Sequence, residues 1–163
     1  MTADILSAHL PGDRVRPLLE AAETHDGIAA FSESFVQGFD DARLRHSHFL
    51  AERDGEVVAC AGLAEDGSSE LVVHPQRRRE AIGEALARTV RAENPDAGLW
   101  AHGNLPGAKA LAAKLGLEVV RELLVMGISA DDIAAGGPEL PAGFEALDYV
   151  GAVERWGRDA VEK

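Results

Sequence analysis

The sequence predicts a mixed α/β domain: a mostly antiparallel sheet with helices on both faces, ordered β-α-α-β-β-β-α-β-α-β. Three observations predict it. Asp54-Gly55 between two apolar runs marks a β-hairpin. A third apolar run, Leu71-Val72-Val73, follows and stops at Pro75. The period then becomes helical, with Ile82, Leu86 and Val90 at i, i+4 and i+8. Three meandering strands followed by a crossover helix require a mixed sheet.

The elements follow in order. Asp4 to Leu10 reads as a first strand, closed by Pro11-Gly12. Asp13 can cap a helix reaching Thr24, with Val15, Leu18, Leu19 and Ala22 inward and Pro17 in its first turn. His25-Asp26-Gly27 ends it. Ser32 or Ser34 opens a second helix through Val36 and Phe39, where Glu33 suits the start as an acid. His48 to Glu52 and Glu56 to Leu63 are the hairpin strands, and Glu65 to Ser69 the next turn. The crossover helix is expected over Arg78 to Glu93, stopped by Asn94-Pro95-Asp96. Gly98 to His102 forms a short strand carrying Trp100, a core residue by its size. Asn104 caps an alanine-rich helix from Pro106 to Leu115, with Gly116 as its C-cap. Leu117 to Ile128 reads as a last strand.

This gives a domain over 1–128, a linker over 129–142 rich in Gly, Pro and Asp, and a remainder over 143–163. The remainder is either an accessory helix from Tyr149 or the beginning of a second domain. Hydrophobic residues make up 46%, which fits a globular chain. The net charge of -12 argues against nucleic acid or an anionic membrane as the main partner. No apolar run approaches the roughly 18–20 residues of a membrane span, and the first residues, Met1 to Leu6, lack a secretory pattern. A single cysteine, Cys60, lies in an apolar run and reads as core. It excludes an internal disulfide and agrees with a reducing, cytoplasmic setting.

Chemistry concentrates where the third strand turns into the crossover helix. Arg77-Arg78-Arg79 precede a helix start, where unpaired N–H groups and the positive dipole end suit an anion, above all a phosphate. Three arginines alone would read as a solvated helix start; the strand before them and Ala81-Ile82-Gly83 after them favour the anion. His46-x-His48 puts two imidazoles on one strand face without a third ligand, so a surface strand and no metal site are expected. His102 could act as a base, though a structural histidine is the more frequent use of such a position.

Val73-x-Pro75-x-x-Arg78-x-x-Ala81-Ile82-Gly83 resembles the acetyl-CoA motif of the GNAT superfamily of N-acetyltransferases. Asn104-Leu105-Pro106 through Lys114-Leu115-Gly116-Leu117 resembles the family's downstream helix and turn. The order of elements over Ala3 to Ile128 agrees with a GNAT-like sheet. A narrower resemblance runs through Glu70 to Gln76, Leu99 to Pro106 and Val120 to Met126. It points to the first half of tandem GNAT proteins of actinobacteria. These acetylate the cysteinyl amine of cysteinyl-glucosaminyl-inositol.

The resemblance implies acetyl-CoA as cosubstrate, a small-molecule amine as acceptor and a second GNAT domain as partner. It implies that the backbone of Leu71, Val72 and Val73 holds the pantetheine arm. The pyrophosphate would lie on amides from Arg78, Arg79, Glu80, Ala81, Ile82, Gly83 and Glu84. Glu33 would contact the amino-sugar acceptor. Two departures stand out: Ala81 replaces the motif's first glycine, and Glu80 adds a negative charge. The family's tyrosine acid would fall on Ala112 and its glutamate base on Gly67, with Glu65 and Glu70 nearby. The catalytic residues are therefore unassigned, and a non-catalytic acetyl-CoA-binding module supporting a catalytic partner domain is the alternative reading.

Overall fold

The computed structural model of the chain describes residues 5–7, 12–127, 129 and 140–158. Its sheet grows from the predicted hairpin. Strands β2 (Ser47–Arg53) and β3 (Glu56–Leu63) pair antiparallel around Asp54 and Gly55, at φ 56° and 83°. Positive φ at both turn residues matches the right-handed twist of the flanking strands. Antiparallel β4 (Ser68–Val73) pairs with the other side of β3, and β1 (Ile5–Ser7) with the other side of β2. The short parallel β5 (Gly98–Leu99) completes the order β1-β2-β3-β4-β5. The parts of the expected first strand outside Ile5–Ser7 lie outside the described residues.

Strand alternation divides the core. Leu50, Cys60 and Val72 face α1 (Gly12–Asp26), where Val15, Leu18 and Ala22 join Phe31, Phe35 and Phe39. Phe49, Ala51, Ala59 and Ala61 face the opposite side, against Ile82, Leu86 and Val90 of α3 (Ile82–Glu93). Each fully buried Val, Leu or Ile is worth about 1.5–3 kcal/mol, so α3 is held chiefly by its i, i+4, i+8 stripe. The short α2 (Glu33–Gln37) packs Phe35 into the first cluster, and α4 (Pro106–Leu115) follows β5. Helices thus cover both faces, as expected. Gly12 starts α1 because its N–H donates to Asp40 Oδ1 at 2.9 Å, where a Cβ would stand 2.6 Å from Asp40 Oδ2. Asp13 lies inside the first turn and Pro17 further along the helix.

Several local expectations change. The crossover helix begins at Ile82, not Arg78. Pro75–Arg77 form a 3-10 turn, and Arg79 and Ala81 are left-handed at φ 70° and 63°, which no α-helix accommodates. Asn104 does not cap α4: it lies in the 3-10 turn His102–Asn104, and Leu105 precedes Pro106 without a side-chain cap. Gly116 does close α4 in the left-handed conformation. Trp100 is only half-buried. His48 is buried and stacks on Phe39 at 4.3 Å, so that strand face is interior rather than surface.

The chain forms two compact units, Met1–Val119 and Val120–Lys163. The expected last strand, Leu117 to Ile128, is absent over the described residues 117–127, where Val119, Val120 and Leu123 to Met126 are exposed. Strand sequences hold that form only when a neighbour takes their hydrogen bonds. In the second unit, residues 144–148 form no strand. Helix α5 (Tyr149–Trp156) starts at Asp148, whose Oδ1 accepts from Gly151 N–H, and stops at Gly157. Most of the expected 129–142 linker and residues 159–163 lie outside the described residues.

Candidate functional site

The backbone of β4 sets up the site. His74 N–H donates to Val58 O, while Trp100 N–H donates to Ser69 O. Successive residues of a strand direct their backbone groups to alternate edges. Residues 70, 72 and 74 therefore bond to β3, and residues 69, 71 and 73 face the other edge. There β5 pairs only with Ser68 and Ser69, then leaves. The sheet forks, and the amides of Leu71 and Val73 look into the fork. Val72 does not: its backbone is turned to β3 and its side chain is buried with α1.

The turn after β4 ends at the first turn of α3. Arg79 and Ala81 are left-handed on either side of Glu80, and turns that carry left-handed residues are a backbone form in which N–H groups can converge on an anion. Ala81 takes a conformation natural to glycine, which explains the motif's glycine there and costs this chain about 1–2 kcal/mol.

The side chains here are largely committed to one another. Arg78 Nη1 and Nη2 bind Asp26 at 2.8 and 2.6 Å, and its Nε donates to Val73 O at 3.2 Å. The Arg78 hydrogen bonds, helped by His25 and opposed by burial, hold the Asp26 carboxyl down at about 2. The same pairing raises the Arg78 pKa. Arg78 is thus a clamp between α1 and the turn. Glu80 binds Arg53 at 2.7 Å and stands 4.0 Å from Arg77, so its charge is matched. Glu84 binds Lys114 at 2.5 Å and Arg88 at 2.9 Å, which lowers its pKa and ties α3 to α4.

Gly83 stands in the first turn of α3. A Cβ there would meet Val73 Cγ2 at 3.3 Å, Leu111 Cδ2 at 3.7 Å and Leu71 Cδ1 at 3.9 Å. A side chain there would enter the apolar gap between β4 and α4. Glu33 is exposed at the start of α2 and accepts from Gln37 Nε2 at 3.2 Å. Ala112 lies in α4. Cys60 is buried, and burial pushes its thiol up to about 12. Among the described residues no group of three or more His, Cys, Asp or Glu could hold a metal ion. No described helix is long and apolar enough to cross a membrane.

Sequence reading left one pair unassembled. Glu70, 3% exposed, lies within the fork region with Oε1 3.0 Å from His102 Nε2, and its Oε2 accepts from Ser32 N–H at 2.7 Å. The two residues are 32 positions apart (102 − 70), so no local spacing signals the pair.

A sheet forked beside its fourth strand, with a left-handed turn leading into the crossover helix, is the arrangement shared with structures of acetyltransferases. Residues 45–118 match the family model described as the acetyltransferase (GNAT) domain, and the chain belongs to the GNAT family. It is 46% identical over 152 residues to a mycothiol acetyltransferase of Corynebacterium aurimucosum, covering 91% of this chain and 48% of that protein. The chain spans about half the length of the relatives it matches. A GNAT family acetyltransferase from Streptococcus pneumoniae shares the fold with a TM-score of 0.55 at 17% identity, over 79% of this chain and 99% of that one. An acetyltransferase from Clostridium acetobutylicum, solved with acetyl-CoA, gives 0.53 at 14%, over 77% and 96%.

Proposed function

We propose that this chain is an acetyl-CoA-binding GNAT domain of the mycothiol synthase type. Its reaction is acetyl transfer to the cysteinyl amine of cysteinyl-glucosaminyl-inositol, in mycothiol biosynthesis. The observation that carries the reading is the pair of outward-facing β4 residues, Leu71 and Val73, ending at the amides that open α3. A pantetheine arm is an amide chain that extends the sheet as a strand would. Its pyrophosphate belongs where N–H groups converge, along the turn and first residues of α3, from Arg79 to Glu84. The arm then runs back along β4, which brings the thioester to the fork. The Leu71 N–H is positioned to donate to the carbonyl oxygen as it gains charge.

Relatives named mycothiol acetyltransferase support the acceptor class. Glu33, exposed on α2, is the acceptor contact in this reading. The chain's place as the first of two GNAT halves accounts for its share of the relatives' length. A second reading, a non-catalytic acetyl-CoA-binding module supporting a catalytic partner domain, is favoured by Ala112, which cannot give a proton to the leaving thiolate.

Calorimetry with acetyl-CoA tests binding, and chromatography of the acetylated product tests transfer to cysteinyl-glucosaminyl-inositol. The chromatography is needed because the acceptor carries a thiol of its own. Micromolar affinity, about −8 kcal/mol, together with product is the expected result. Heat without product selects the second reading. Absence of heat overturns both.

A further inference from the structure

A carboxylate buried at 3% exposure is unusual in an acidic protein, and among the described residues no Lys or Arg forms an ion pair with Glu70. One oxygen accepts from the Ser32 N–H at the start of α2; the other stands 3.0 Å from His102 Nε2 as a charge contact outside hydrogen-bond geometry. The His102 side chain is 31% exposed, so the imidazole is the part of the pair that solvent and substrate can reach. Its placement follows from the fork. Trp100 makes the last backbone bond of the β5 segment to β4, at Ser69. Glu70 is the next residue on one branch, and His102 lies two residues on along the other. The 3-10 turn that carries His102 is braced by Ile28, whose methyl groups lie 3.1–3.2 Å from where a Cβ of Gly103 would be.

We propose that His102 is the proton-transfer residue of this domain and that Glu70 is its positioning residue. The proposal rests on the acetyl-CoA reading above. A lone pair on Nε2 would repel the carboxylate oxygen 3.0 Å away, which puts the ring proton on Nε2 and leaves the Nδ1 lone pair as the basic site. The acceptor's neutral amine attacks the thioester carbonyl and forms the C–N bond. The excess proton on nitrogen passes to Nδ1, giving an imidazolium whose charge Glu70 balances. The C–S bond then breaks, and the imidazolium returns that proton to the departing CoA thiolate. Amine and acetyl thioester become amide and thiol, with no other reactant. One residue thereby fills both roles left vacant at Gly67 and Ala112.

The ionisable surroundings include His48, buried on the same sheet face as Glu70 and separated from it in register only by Gly62, with the His46 ring 6.3 Å further on. Glu70 comes from β4, and the 27–32 loop carries no titratable side chain. Glu33 and Lys109, near the starts of α2 and α4, are exposed.

The test uses wild type, His102→Ala, His102→Gln and Glu70→Gln, each checked for folding by its thermal transition. For the His102 variants the expected result is an acetyl-CoA Kd within about twofold of wild type and kcat lower by about 10²–10³-fold. The acid limb of the kcat–pH profile should vanish in both. Free imidazole should restore product formation to His102→Ala, in proportion to its neutral fraction. A structural histidine would show no such rescue. Glu70→Gln should lower kcat while leaving the acetyl-CoA KM unchanged. Turnover by His102→Gln at the wild-type rate overturns the assignment and leaves the acetyl-CoA reading intact. So does wild type that binds acetyl-CoA but yields no product. Failure of wild type to bind acetyl-CoA overturns the underlying reading instead.

Discussion

The two ends of the open β4 edge are built from different materials. At the α3 end, three of the nearby charged side chains are paired within the protein, Arg78 with Asp26, Glu80 with Arg53 and Glu84 with Lys114, while Arg79 is exposed. The pyrophosphate ligands proposed there are backbone N–H groups. At the fork a side-chain pair joins the outward backbone of β4: Glu70 stands 3.0 Å from His102, in the turn after β5, and proton transfer is the role proposed for the pair. Recognition of a constant group such as a pyrophosphate can be left to N–H groups, which every residue but proline carries. Proton transfer cannot, because the backbone has no group that titrates near neutral pH.

The largest effect is expected where the two ends meet. Gly83 borders the gap between β4 and α4, where a Cβ already stands 3.3 Å from Val73 Cγ2. Gly83→Glu would push a carboxylate into this apolar space beside the path proposed for the pantetheine arm. We expect acetyl-CoA affinity to fall by roughly 100-fold, about 2.8 kcal/mol, measured by calorimetry on protein shown to be folded by circular dichroism. Unchanged affinity would detach the binding path from this gap.

The Asp26–Arg78 clamp should act on stability. Asp26 is shifted from 3.8 to about 2, so the folded state binds its proton less readily than the unfolded chain does. Its stabilisation is complete above about pH 4 and is lost as the pH falls toward 2. The carboxylate is 10% exposed and Arg78 33%, which trims the gain by solvent screening. Asp26→Asn should therefore cost about 1–2 kcal/mol at pH 7, read from urea unfolding, and the gap to wild type should close between pH 4 and 2. A gap that persists at pH 2 would mean the clamp holds by packing.

The contrast between the ends also explains what the sequence made legible. Strand, turn and crossover helix are encoded locally, through Asp54-Gly55, the stop at Pro75 and the i, i+4, i+8 stripe, so most of the sheet and both helix layers could be read. The strand, turn and helix start at the α3 end could be located because they are adjacent in sequence, and the backbone site proposed there draws on that same run. Within that run, two details escaped. The arginine triplet looked like phosphate ligands, yet Arg78's partner is Asp26, 52 residues away. The side Gly83 faces depends on α4, which is also remote. The Glu70–His102 pair depends on where two strands part, a property of the sheet that neither segment carries alone. Leu117 to Met126 failed for the opposite reason: its composition suits a strand, but pairing needs a neighbour.

The smallest effect sharpens the comparison most. Glu80 sits in the turn proposed to hold a pyrophosphate, 36% exposed, paired with Arg53 and near Arg77. Exposed pairs of this kind contribute about 0–1 kcal/mol, so Glu80→Gln should change unfolding stability by no more than about 0.5 kcal/mol. Its effect on acetyl-CoA separates two designs. If the amides of the turn are the ligand, removing a nearby negative charge leaves them in place and reduces repulsion. Affinity then rises about twofold to threefold at low salt, and the gain fades as salt screens it. If instead the turn keeps its shape because Glu80 anchors it to Arg53, the substitution loosens the amides and affinity falls at every salt concentration. Calorimetry at two ionic strengths distinguishes them. The left-handed geometry of Arg79 and Ala81 on either side of Glu80 favours the first, since the turn's shape is set by backbone angles and by the Arg78 bond to Val73 O.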